Sequence, residues 1–94
     1  MYATVNHMRF VTPVDNMIDV LREGAEILGT YPGFKSLQIV KEGVDGIVLI
    51  VQWQSQQEAE SAAYSFGPGW FGQTIGPRLY GPQRPSAGDV LASV

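Results

Sequence analysis

Few side chains in this sequence could take part in chemistry, and their types narrow what that chemistry can be. His7 is the single histidine, there is no cysteine, and the carboxylates are scattered. Neighbouring positions therefore offer neither a thiolate nor a set of metal ligands. The chain also carries no nucleophile triad pattern, no pair of carboxylates at a fixed spacing and no glycine-rich phosphate loop. What remains are amide, aromatic and guanidinium groups spread along the chain, Asn6, Trp53, Tyr64, Trp70, Phe71 and Arg78 among them. Groups of this kind can line an apolar, water-poor cavity and stabilise charge on a bound molecule by hydrogen bonding.

Each of these residues has a structural reading beside the functional one. Trp53 reads as a large core or subunit-interface aromatic, or as the wall of a site. Asn6 sits in a strand-like segment where a polar group on a covered face must find a partner, whether backbone or ligand. His7 reads as a satisfied interface histidine or as a base. Trp70 and Phe71 follow Gly67-Pro68-Gly69 and are either a mobile lid over a ligand or packing on the sheet edge. Arg78 reads as a solvated loop charge or a ligand donor.

The elements that must position these groups follow from periodicity. Residues Tyr2 to Val11 form a strand with Tyr2, Thr4, Asn6, Met8 and Phe10 on one face and Ala3, Val5, His7, Arg9 and Val11 on the other. Thr12-Pro13-Val14-Asp15 predicts a helix start with threonine as the cap, and Val14, Met17, Ile18, Leu21, Ala25 and Leu28 then keep helical spacing. Gly29 is expected as a left-handed cap, and Tyr31-Pro32-Gly33 turns into a strand over Phe34 to Glu42. Gly43 to Gly46 is a hairpin connection.

The next run, Ile47-Val48-Leu49-Ile50-Val51-Gln52-Trp53, is too short to cross a bilayer and lacks helical spacing, so it predicts a strand buried on both faces. Ser55 and Glu58 form a capping box that opens a helix from about Gln56 to Phe66, with Ala59, Ala62, Ala63 and Phe66 inward, ended by Gly67-Pro68-Gly69. One short helical turn is expected at Trp70 to Ile75, an irregular loop from Gly76 to Gly88, and a last edge strand over Asp89 to Val94. The order strand, helix, strand, strand, helix, strand predicts an α+β, ferredoxin-like βαββαβ sandwich with an antiparallel sheet, formed by residues 1–94 as a single domain.

Composition limits the partners. A domain of this size buries only about 60 to 65 per cent of its unfolded surface. With 45% hydrophobic and 16% charged residues, some apolar surface is expected to be an interface, and a second copy of the chain is the natural cover for a doubly apolar strand. Arg9, Arg22, Lys35, Lys41, Arg78 and Arg84 are scattered through a chain of net charge −3, which offers no patch to follow a phosphate backbone, so nucleic acid is not expected as a partner. No export signal is visible at the N-terminus and no membrane span is expected, so a cytoplasmic location follows by default.

Tyr31-Pro32-Gly33-Phe34, the short hairpin, and then Val51-Gln52-Trp53-Gln54-Ser55-Gln56-Gln57-Glu58-Ala59 together resemble the landmarks of the antibiotic biosynthesis monooxygenase domain. The similarity covers roughly residues 2 to 75. It implies a dimeric α+β barrel, in which two sheets face each other across a dimer axis. One branch of that superfamily degrades haem with an asparagine on the first strand, a tryptophan at the end of the third and a histidine on the following helix. Asn6 and Trp53 match the first two, but residues 56–80 contain no histidine. The resemblance to the cofactor-free branch instead implies oxidation of an aromatic or polyketide-like molecule with no cofactor. There Asn6 and Trp53 would be catalytic, with Tyr64, Trp70, Phe71 and Arg78 binding the substrate. The alternative from a different class is a non-catalytic dimer that binds a small hydrophobic ligand or serves as an interaction module.

Overall fold

Strand alternation and two amphipathic helices account for most of the architecture. The computed structural model describes all residues from Met1 to Val94. Its elements are β1 (Tyr2–Arg9), α1 (Ile18–Leu28), β2 (Phe34–Glu42), β3 (Gly46–Trp53), α2 (Gln56–Phe66) and β4 (Arg84–Asp89). The four strands form one sheet in the order β2-β3-β1-β4, with every neighbouring pair antiparallel. Each helix therefore joins two strands separated by a third, the split arrangement of a ferredoxin-like α+β fold.

Register decides which side chains share a face. In the β1–β3 pair, Tyr2 lies opposite Trp53, Thr4 opposite Val51, Asn6 opposite Leu49 and Met8 opposite Ile47. These residues share the helix-covered side, because successive strand residues point to opposite faces. Two groups of buried side chains make up the core there. One gathers Met8, Phe10, Val14, Met17, Leu21, Ile47 and Ile75, and the other Leu28, Val51, Trp53, Ala59 and Ala62. Leu49 packs against both groups and ties them together. On α2, Ala59 and Ala62 are 4% and 2% exposed, and their short side chains let that helix approach the sheet.

The opposite face of the sheet carries Val5, His7, Val40, Val48 and Ile50 and has no helix over it. Val40 is exposed, while Val5, Val48 and Ile50 are half-buried by their strand neighbours alone. The expectation that β3 is buried on both faces thus holds for one face within a single chain. Both of the chain's helices pack on the same side.

The expected helix starts and ends are revised where tertiary contacts replace local ones. Val14–Asn16 is a 3-10 turn and α1 begins only at Ile18, with no side-chain cap. The Val14 N–H donates to the Val44 carbonyl (2.9 Å), so a contact with the β2–β3 hairpin takes one of the donors that a threonine cap would have served. The Thr12 hydroxyl instead accepts from Asn16 Nδ2. Gly29 ends α1 in right-handed geometry (φ −64, ψ −13), not left-handed. The Ser55 cap does form, with Ser55 Oγ accepting from the Glu58 N–H at 3.3 Å and donating to Glu58 Oε1 at 3.2 Å. Beyond α2 the chain passes into a π-helical segment, Gly67–Ile75, broken at Gly69 (φ −80, ψ −118).

The last strand is also displaced from its expected place. β4 runs over Arg84–Asp89, inside the stretch expected to be an irregular loop except for Asp89, the first residue of the expected strand, while Val90 to Val94 have no regular structure. Pro85 is tolerated because β4 is an edge strand with a ladder on one side only.

Two close approaches fix the helices to their connections. At Gly24 in α1 a Cβ would lie 2.6 Å from the Trp70 ring, so the missing side chain is what lets Trp70 pack there. At Gly33 the backbone has φ +81 and the Glu58 side chain covers the position. Left-handed geometry costs a non-glycine residue about 1–2 kcal/mol. Gly33→Ala is therefore expected to destabilise the domain by at least about 1–2 kcal/mol, lowering the thermal midpoint by roughly 5–15 °C in a melt followed by circular dichroism. Trp53, 3% exposed, has a larger expected effect: Trp53→Ala should lower unfolding stability by about 3–5 kcal/mol in a urea titration.

Candidate ligand cavity

The helix-covered face is not filled evenly. β1 presents the modest side chains Thr4 and Asn6 next to Val51 and Leu49 of β3, and α2 faces them with the small residues Ala59 and Ala63. A cavity of about 330 Å³ remains between them, within the size range of small-molecule sites. Trp53 and Leu28 complete its inner walls, Phe66, Gly67 and Phe71 close the side beyond α2, and Gln83 reaches in from the loop before β4. The lining contains no ionisable side chain, and its polar groups are Thr4, Asn6 and Gln83.

Asn6 is the chemically distinctive member. Its Nδ2 donates to Gln83 Oε1 at 2.6 Å, while its Oδ1 is shielded from water and has no partner. No other buried side-chain polar atom in the chain is left in this state. An unmade hydrogen bond of this kind costs roughly 1–3 kcal/mol, and in a native structure it asks for a reason. Gln83 had no signal in the sequence. It lies between Pro82 and Arg84 in a proline-punctuated stretch, and it meets Asn6 across 77 positions only because β4 pairs with β1.

The other candidates separate. Trp53 lines the cavity and packs edge-to-face on Phe34, with ring centroids 5.9 Å apart. Phe71 also lines it and belongs to an aromatic cluster in which Phe66 stacks on Trp70 at 5.7 Å and lies 6.1 Å from Phe71. Trp70 is not part of the lining; it sits against Gly24 beside a separate apolar void of about 30 Å³, too small for a ligand. Tyr64, expected to bind substrate, is 87% exposed and does not reach the cavity, because it falls on the outer side of α2. Arg78, also expected to bind substrate, is exposed on the 3-10 turn Gly76–Arg78, where its main-chain carbonyl accepts from the Val11 N–H. His7 projects from the uncovered sheet face, with Nδ1 3.4 Å from Glu42 Oε1. No group of three His, Cys, Asp or Glu side chains is placed to hold a metal ion, and no helix is long and apolar enough to cross a membrane.

No family model matches the chain, and no curated protein matches its sequence. Solved structures do match. A candidate antibiotic biosynthesis monooxygenase from Nitrosomonas europaea superposes with a TM-score of 0.80 at 18% identity, covering 98% of this chain and 100% of that one. SnoaB from Streptomyces nogalater, a cofactor-independent oxygenase, gives 0.82 at 14% identity over 99% of this chain and 95% of its own. A MhuD variant with two manganese protoporphyrin IX molecules bound per active site gives 0.75 at 14% identity, over 100% and 98%. At such identities the likeness is one of backbone. The chain has the ferredoxin-like α+β fold of the antibiotic biosynthesis monooxygenase structures, over essentially its whole length.

Proposed function

We propose that the protein is a small monooxygenase-like enzyme that oxidises an electron-rich hydroxylated aromatic molecule, of polyketide-like shape, in the cavity between β1, β3 and α2. The observation that carries this reading is the unpaired Asn6 side-chain oxygen at a mostly apolar cavity of ligand size. The shared fold with a cofactor-independent oxygenase supports it.

The chemistry this lining suits is one in which the substrate is itself the reductant. A ring methylene conjugated with the phenol first gives up one proton to leave a delocalised phenolate, and this anion passes one electron to O2. The two radicals combine at the former methylene carbon, which now carries one hydrogen, and the peroxide takes up a proton and loses water. One oxygen atom stays on that carbon as a carbonyl, and the other leaves as water with the remaining C–H hydrogen and the proton taken up by the peroxide. With the Asn6 and Gln83 amides turned over, so that Gln83 donates and the Asn6 NH2 is free, Asn6 would hydrogen-bond the phenolic oxygen and favour its charged form. Trp53, Phe66 and Phe71 would hold the ring plane and exclude water. No side chain in the lining can serve as a general base, so the substrate must be acidic enough to release its proton to water.

The lining does not fit haem. Haem iron takes an axial ligand from His, Cys, Met or Tyr in most proteins. None of these lines the cavity, and His7 lies on the other face of the sheet. The absence of an ionisable group also favours one alternative reading, a dimer that binds a hydrophobic ligand without transforming it.

In the same reading two copies pair through the uncovered sheet face, where Val5, Val40, Val48 and Ile50 form an apolar strip. Light scattering on a sizing column should then report twice the 10.3 kDa chain mass, and Ile50→Lys should report the single mass with its strands intact. For activity, 1,8-dihydroxyanthrone is a suitable probe because it carries a phenol and a reactive methylene. Oxygen uptake above the enzyme-free rate is expected, with one atom of labelled O2 in the product, and Asn6→Leu should lower kcat/KM on the order of 10²-fold. Saturable binding with no oxygen uptake would instead establish the non-catalytic reading.

A further inference from the structure

We infer that Gln83 determines which end of the Asn6 amide meets a bound hydroxyl group, and so whether the cavity takes a neutral phenol or its anion. This deepens the proposed function and rests on the cavity being a ligand site.

An asparagine and a glutamine each carry a donor end and an acceptor end in nearly the same envelope. A single contact of 2.6 Å joins the two side chains, so it can run in one of two directions. When Asn6 donates to Gln83, as in the structure, the free end of Asn6 is its oxygen, an acceptor suited to a neutral hydroxyl. When both amides turn over, Gln83 donates, and the free end of Asn6 is an NH2 group suited to a phenolate. A single-ended residue at position 83 would permit only one of these states.

The surroundings leave that free end to a ligand. Leu49, opposite Asn6 in β3, has no polar side chain, and Pro85, opposite it in β4, has no N–H. The free end is also shielded from water, so solvent does not satisfy it. A ligand reaches it by moving the lining, and Phe71 belongs to the π-helical segment that is already broken at Gly69. Gln83 itself enters from a loop, after Gly81 at φ +79, where a side chain can turn without disturbing a ladder. It acts as a positioning residue, with Asn6 as the group that touches the ligand.

The test uses 2-hydroxyanthraquinone, a planar phenol whose colour reports its ionisation and which lacks the methylene needed for turnover. The ionisation midpoint of the bound dye is read in the wild-type protein, in Gln83→Glu and in Gln83→Lys, and again with each change on an Asn6→Leu background. A glutamate can only accept, so Gln83→Glu is expected to raise the midpoint by about one pH unit, a roughly tenfold loss of phenolate affinity relative to phenol. Gln83→Lys can only donate and should move it by a similar amount the other way. On the Asn6→Leu background only the charge effect remains, so both shifts should shrink severalfold. Either variant alone decides the matter. Shifts of equal size with and without Asn6, or no shift in dye that binds, would overturn the role of Gln83 while leaving the cavity reading intact. Failure of the folded wild-type protein to bind the dye would overturn both.

Discussion

The pairing of β1 with β3 is the constraint on which the rest of the structure depends. These are the two central strands, and their register sets Met8 against Ile47, Asn6 against Leu49 and Tyr2 against Trp53 on the helix-covered face. A slip of one residue would send Asn6 to the uncovered face and bring His7 to the covered one. Burial of Met8, Ile47, Val51 and Trp53, each at 3% exposure or less, holds this register against such a slip. The same pairing therefore builds the core and places the amide.

The cavity and the core are made by opposite choices along one surface. Where α1 crosses the sheet, Leu21 meets Met8 and Ile47 in a layer that leaves a void of only about 30 Å³. Where α2 crosses it, alanines meet Thr4 and Asn6, and volume is left over. Close packing to native density would favour filling that space, and leaving the Asn6 oxygen unpaired adds roughly 1–3 kcal/mol of cost. A domain this small has little stability to spare. Unfilled volume and an unsatisfied amide at one place are the pattern expected where a fold is shaped for a ligand instead of for its own stability.

The sheet's two faces divide the remaining roles. One face holds both helices, both halves of the core and the cavity. The other presents Val5, Val40, Val48 and Ile50 to whatever lies outside the chain. β4, exposed at all six residues, carries the loop that delivers Gln83, so the least buried strand supplies the partner of the most constrained polar group. Arrangement of a site across an edge strand and a central strand makes its polar geometry sensitive to how the C-terminal segment is held.

Local signals in the sequence determined the parts of the fold whose interactions are themselves local. Alternation delimits β2 as Phe34–Glu42, and the Ser55–Glu58 cap with its alanine stripe delimits α2 as Gln56–Phe66. Period-two patterning also separates Asn6 from His7 and sets Asn6 on the same side as Trp53 once the two strands pair. Tertiary structure decided what depends on distant contacts. The Val44 carbonyl displaced the threonine cap of α1, and β1 drew Arg84–Asp89 into the sheet in spite of Pro85. The Asn6–Gln83 contact belongs to this second kind. Its two residues carry no pattern linking them, and only the closing of β4 onto β1 brings them within 2.6 Å.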